Sequence, residues 1–281
     1  KVVPHETDAF GANIVSNEWD FTTGKGVITF DADVTKIGLF GCCHSLTSIT
    51  IPDSVTEIGN AAFSGCSSLT SVTIPDSVTT IGDYAFNNCS SLTRVTIPDS
   101  VTTIGRYAFS GCSSLTIVNI TDIAAWCSIS FASSNSNPLY YAHNLYLNGK
   151  LVRDLVIPDS VTTIEYGTFY GCSSLTSITI PDSVTTIGGN AFYRCSSLTK
   201  AVIGSGVKEI YFSAFESCYL LNEIICKPTT PPTAVLYSGA WDAFKSISAT
   251  AKIYVPTGSG TAYKTAKYWS DYASIIEEKA M

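Results

Sequence analysis

Apolar and polar positions follow one another along this chain in an order that keeps returning. Leu69 to Ser91 reads LTSVTIPDSVTTIGDYAFNNCSS, and Leu92 to Ser114 reads LTRVTIPDSVTTIGRYAFSGCSS. Cys43, Cys66, Cys89 and Cys112 recur every 23 residues, as do Cys172, Cys195 and Cys218. Between Cys112 and Cys172 lie 60 positions, two periods and 14 residues more, so the repeat at roughly 115–151 is enlarged. A fixed period of this length predicts a solenoid of stacked coils.

In the copy starting at Leu69 the apolar skeleton is Leu69, Val72, Ile74, Val78, Ile81, Ala85, Phe86 and Cys89. Val72-Thr73-Ile74 alternates with period two, which predicts a strand with one buried face. Pro75 has no N–H to donate and ends the pairing. Asp76 and Ser77 suit a turn, because their side chains bond nearby backbone groups. Val78 to Ile81 reads as a second short extended piece, and Gly82 allows a sharp exit. Phe86 and Cys89 stand three apart, the spacing of one helical or 3₁₀ turn. One coil alone buries too little apolar surface to offset the entropy of ordering its backbone, so stability must come from stacking.

The ends and the enlarged repeat depart from this pattern. Val27 to Cys43 reads as a first copy, two residues short between Ile37 and Cys43. Ile203-Gly-Ser-Gly-Val207 replaces IPDSV, and Cys226 takes the inward position that Ile74 holds. Residues 1–23 and 227–281 lack the motif and are expected to cap open ends that would otherwise invite edge pairing. Pro228, Pro231 and Pro232 break regular structure; Lys252 to Val255 predicts a last strand. Ser259 to Tyr268 predicts a closing helix, with Tyr263 and Trp269 packed on the final coil. In the enlarged repeat, Ile123 to Cys127 predicts a short helix and Ser133 to Pro138 a loop. Leu145 to Val152 predicts a hairpin, because Asn148-Gly149 favours a type I′ turn. The expected organisation is one solenoid over 1–226, including the N-terminal cap 1–23 and the enlarged repeat 115–151, with 227–281 as a capping segment of the same domain.

Leu69-x-x-Val72-x-Ile74 matches the L-x-x-L-x-L stem of leucine-rich repeats. The whole unit, with IPDSV and AFxxC, resembles the BspA-like (type 5) class. Ile253-Tyr-Val-Pro256 followed by Tyr263-Lys-Thr-Ala and Trp269 is similar to the closing segment of such proteins. The resemblance implies an α/β repeat solenoid: a leucine-rich repeat arc with a parallel β-sheet face, short second strands and helical turns. It also implies a secreted or cell-surface protein of anaerobic bacteria, a group in which some members are adhesins for host matrix proteins.

Composition narrows the function. Only 14% of the 281 residues are charged, against roughly 25% in an ordinary soluble domain, so Ser and Thr must supply much of the polar surface. Lys and Arg number 16 against 23 Asp and Glu, a formal charge of −7. That balance argues against nucleic acid or an anionic membrane as partner, since both need clustered positive charge. Mean hydropathy is +0.23, yet the longest apolar run, Ile123 to Cys127, is far short of the ~20 residues of a membrane span. No membrane insertion is expected. The chain opens at Lys1, which is read as a mature or trimmed product whose address segment is expected to have been removed.

Candidate chemistry is sparse. In-register cysteines would place Cβ atoms about 4.8 Å apart, beyond the ~3.5–4.5 Å a disulfide prefers, so they are expected to be buried free thiols. Cys42-Cys43-His44 lacks a second ligand pair with metal spacing. His5, His44 and His143 lie in a terminus, a turn and the enlarged repeat, and no nucleophile or phosphate-loop motif accompanies them. Asp53, Asp76, Asp99, Asp159 and Asp182 recur as turn formers. Neither catalysis, metal nor cofactor is expected. Two surfaces remain as ligand-binding candidates. One is the outward strand face, with Ser71 and Thr73, Arg94 and Thr96, Asn119, Asp154, Ser177 and Thr179, and Lys200. The other is the aromatic set of the enlarged repeat: Trp126, Tyr140, Tyr141, His143 and Tyr146. These predict a host or bacterial surface protein or glycan as partner. The competing expectation is a stalk that presents another module and has no ligand of its own.

Overall fold

The structure, a computed structural model, describes residues 10–20, 25–38, 40–238 and 243–281; His5 and most of the expected N-terminal cap lie outside them. The chain divides into two compact units, Lys1–Thr121 with Ser130–Ala142, and Asp122–Ile129 with His143–Met281.

In the first unit the period-two segments become parallel strands in repeat order. Ser48–Thr50, Ser71–Thr73, Arg94–Ile97 and Ile117–Ile120 lie side by side, and Ser48, Ser71, Arg94 and Ile117 are successive partners. The second half of each coil builds a second parallel sheet from Lys36–Ile37, Glu57–Ile58, Thr80–Ile81, Thr103–Ile104 and Ser130–Phe131. The third side of the coil is a series of turns. The Cys89 N–H closes onto the Phe86 carbonyl at 3.2 Å, as a 3₁₀ turn does, while the N–H groups of Tyr84 and Phe86 donate to Arg106 and Ala108 of the next coil at 2.8 and 2.7 Å. This side too is therefore a ladder between coils. Gly82 and Gly105 make that closeness possible, since a Cβ would stand 2.7 Å from the Asn60 nitrogen and 2.5 Å from the Asp83 nitrogen respectively.

Stacked coils bring identical side chains into columns. Phe40, Phe63, Phe86 and Phe109 form a buried row with ring centroids 5.7, 5.3 and 5.2 Å apart. The Val27 to Cys43 copy departs from expectation. Its strand Lys25–Phe30 pairs antiparallel with Ile14–Asp20 instead of joining the ladder. Phe10 then lies 5.0 Å from Phe30 and 5.6 Å from Phe40, which covers the open end of the phenylalanine row.

The second unit repeats the plan. Asp154–Val156, Ser177–Ile180, Lys200–Ile203 and Glu223–Cys226 are parallel neighbours, continued by Lys252–Pro256 and Ile276–Lys279. Thr163–Ile164, Thr186–Ile187, Glu209–Tyr211 and Thr233–Val235 form the second sheet. Phe169, Phe192, Phe215 and Phe244 stack at 5.3, 5.0 and 5.5 Å. Ile123–Cys127 is a helix, capped by Asp122, whose carboxylate accepts the Ala125 N–H at 2.7 Å. Leu145–Leu147 and Lys150–Leu151 form the expected hairpin, with Asn148 and Gly149 both at positive φ. The closing helix is shorter than expected, Gly260–Thr265, and Lys252–Pro256 is not the last strand. Tyr263 and Trp269 are buried, donating to the carbonyls of Pro228 and Pro232, each at 2.8 Å. The prolines that stop regular pairing thus become acceptors for the cap.

Candidate functional site

On the strand face of the first unit, alternation buries Val72, Val95 and Val118 and turns their neighbours outward. Ser71, Arg94 and Ile117 pair in one column, and Thr73, Thr96 and Asn119 in the next. Ser71, Thr73, Arg94 and Thr96 are exposed, and Asn119 is half-buried. The columns predicted from sequence are therefore real surfaces.

The second unit carries a different face. Asp154, Ser177, Lys200, Glu223 and Lys252 follow one another in register. Ser177 donates to the Asp154 carboxylate at 2.6 Å and Thr176 at 3.1 Å, which holds that carboxyl below its ordinary value. Lys200 is bonded to Glu223 at 3.0 Å, and Lys279 approaches the same carboxylate at 3.9 Å. Most charge in this column is thereby neutralised internally. The adjacent column runs Val156, Thr179, Val202, Ile225 and Tyr254, with Val156 67% exposed and Lys279 over the Tyr254 ring at 4.6 Å. Tyr254 and Lys279 belong to this face and were not among the sequence candidates. Only strand pairing through the C-terminal segment brings them there.

The aromatic set separates. Trp126 is buried, 1% exposed, and its indole N–H donates to the Thr168 carbonyl at 3.1 Å. It is a core residue of the second unit rather than a ligand anchor, because its ring has no surface to offer. Tyr140 and Tyr141 belong to the first unit, half-buried, ring centroids 4.9 Å apart, the Tyr141 hydroxyl 3.4 Å from that of Ser110. His143 and Tyr146 belong to the second. His143 is exposed, with Nδ1 3.1 Å from the Gly171 carbonyl; Tyr146 is half-buried opposite Leu151 in the hairpin. Beside that hairpin lies a shallow cavity of about 360 Å³ lined by Ile123, Leu147, Lys150, Arg153, Asp154 and Val156 among others.

Cysteines supply no site. All ten are free thiols, and only Cys42 is exposed. Cys66, Cys89, Cys112, Cys195 and Cys218 each donate Sγ–H to a phenylalanine carbonyl of the preceding coil at 3.1–3.3 Å. Burial pushes the Cys66 and Cys112 thiols up to about 12, which keeps them protonated and unreactive. Among the described residues no group of three His, Cys, Asp or Glu side chains could hold a metal, and no helix is long and apolar enough to cross a membrane.

Residues 34–150 and 141–258 match the BspA type leucine rich repeat region. The chain belongs to the BspA-type leucine-rich repeat family. Its repeats are similar to those in solved structures. A leucine-rich repeat protein from Eubacterium ventriosum is 23% identical, with a TM-score of 0.41 over 79% of this chain and 48% of that one. A leucine rich cell surface protein from Faecalibacterium prausnitzii is 28% identical, TM-score 0.41, over 85% and 65%. The leucine rich repeat protein of T. pallidum is 25% identical, TM-score 0.36, over 79% and 81%. This chain thus spans about half of the Eubacterium ventriosum protein. No curated protein matches it.

Proposed function

We propose that this BspA-type repeat chain is a non-enzymatic binding protein, secreted or held at the cell surface, that docks a surface protein or glycan on its outward strand faces. The observation that carries the reading is the unbroken register of exposed Ser71, Thr73, Arg94 and Thr96 on a backbone that three inter-coil ladders hold rigid. Such a face is preorganised, so little entropy is lost on binding. Arg94 has no ion-pair partner among the described residues, leaving its guanidinium for a ligand. The extracellular placement, and adhesion to host surfaces in particular, rest on the family resemblance.

The test is the full chain on an array of matrix proteins and glycans, with Arg94→Ala and the double variant Thr73→Ala/Thr96→Ala printed alongside. Affinity spread over many modest contacts predicts a hit that each variant weakens by roughly three- to tenfold without loss of thermal midpoint. Silence across the array supports the stalk instead.

A further inference from the structure

On the turn side of each of six coils two residues are left-handed, four apart, and the first of the two is the position of interest. Down the repeats this position is Ala61, Tyr84, Tyr107, Gly167, Asn190 and Ser213, with φ from 53° to 66°. Such a conformation suits glycine and asparagine and disfavours a bulky side chain, and four of the six are small or Asn. Tyr84 and Tyr107 are the exceptions. They are also 45% and 40% exposed, and their rings stack with centroids 5.3 Å apart at 23°. In the stacked repeats of the first unit no other large apolar side chain among the described residues is exposed. Two phenol rings thus stand in the least suitable backbone conformation and in water, which neither folding propensity nor core packing calls for.

One face of Tyr84 is covered by Tyr107. In the preceding coil the same position is Ala61, so the row stops there and, among the described residues, no second ring lies against Tyr84. The residues just before Ala61 and Tyr84 are polar: the Asn60 side-chain oxygen accepts the Asp83 N–H at 2.8 Å, and the Asp83 carboxylate accepts the Arg106 N–H at 2.6 Å. The second unit offers a contrast, since Tyr170 and Tyr193 are half-buried and the Arg194 guanidinium already sits 5.3 Å over the Tyr193 ring. We infer that the open face of Tyr84 is a saccharide platform, on which a pyranose ring stacks in the place a third tyrosine would occupy. Pyranoses with equatorial hydroxyls, as in β-linked glucose or N-acetylglucosamine chains, present a flat C–H face to an aromatic ring, and their rim hydroxyls suit Asn60 and Asp83. Two isolated rings in polar surroundings are too small for a protein interface, which needs roughly 800 Å² per partner around an apolar centre.

This site is separate from the strand face, and each can fail without the other. The full chain is titrated with cellohexaose and with N-acetylchitohexaose by calorimetry, together with Tyr84→Asn, Ala61→Tyr and the strand-face variant Thr73→Ala/Thr96→Ala. Asn suits the left-handed position, so Tyr84→Asn should keep or raise the thermal midpoint while weakening saccharide binding by roughly tenfold. Ala61→Tyr should weaken it similarly by filling the vacant step, and the strand-face variant should bind as the parent does. Absence of binding to both hexasaccharides overturns the inference. So does a Tyr84→Asn variant that binds like the parent, or one that loses stability with binding intact, since the stack would then be structural.

Discussion

Serines of the IPDSV turn send their hydroxyl hydrogens out of their own coil. Ser77, Ser100 and Ser183 donate to the carbonyls of Val55, Val78 and Val161 at 2.6, 2.7 and 2.9 Å. Thr79, Thr102 and Thr185 do the same for Thr56, Thr79 and Thr162 at 3.2–3.3 Å. Residues that read as turn formers and solubilising groups are thus also inter-coil ties, each worth about 1 kcal/mol. The thiols act likewise on the inner side. For Cys66 and Cys112 burial pushes the folded-state pKa from 9.0 up to about 12, so the neutral thiol is favoured in the folded chain. That contribution is complete below pH 9 and is lost as pH rises through the folded value. Ellman's reagent is expected to titrate Cys42 quickly in the native protein, with the buried thiols reacting only in denaturant. The thermal midpoint should fall progressively above pH 9; a midpoint flat to pH 11 would contradict the assignment.

Short elements are held here by what they contact rather than by their own propensity. Helix Ile123–Cys127 has five residues, too few to persist alone. Its Asp122 cap and the buried Trp126 fix it to the second unit. Trp126→Phe keeps much of the packing but leaves the Thr168 carbonyl without the indole donor, and should cost about 1–2 kcal/mol in urea denaturation. Ligand binding should be unchanged, because the ring is not at the surface; a selective loss of binding would restore Trp126 to the site. The hairpin at Asn148-Gly149 was legible because its turn chemistry is local. The antiparallel pairing of Lys25–Phe30 was not, because a period-two strand carries no mark of which neighbour it will choose.

At the scale of the molecule, stability in each unit resides in contacts between neighbouring coils. A repeat protein of this kind is approximately a one-dimensional array, so removing one internal repeat shortens it without destroying its core. Deletion of residues 70–92 joins Leu69 to Thr93 and preserves the order of every inward position. The expected product is folded, with unchanged far-UV dichroism per residue, a lower urea midpoint and a smaller m-value. A molten or aggregated product would show that the coils are not interchangeable. The same deletion takes Ser71 and Thr73 out of the strand face and should weaken its binding while the fold persists; Tyr107 then follows Ala61 where Tyr84 stood, so one ring remains for the saccharide.

The sequence alone determined the period, the inward skeleton, the enlarged repeat and the family, because each follows from local alternation and exact recurrence. Strand spacing alone marks seven in-register cysteines as unpaired. Tertiary structure decided what happens where recurrence stops. It chose the partner of Lys25–Phe30, added Ile276–Lys279 beyond the expected last strand, buried Trp126, and set Lys279 over Tyr254. It also decided which rings stand in water, since Phe86 and Tyr84 are two residues apart and only the direction of the coil sends one to the core and leaves the other outside. Sequence spacing fixes which residues share a column, but the packing of neighbouring coils fixes which side of that column meets solvent.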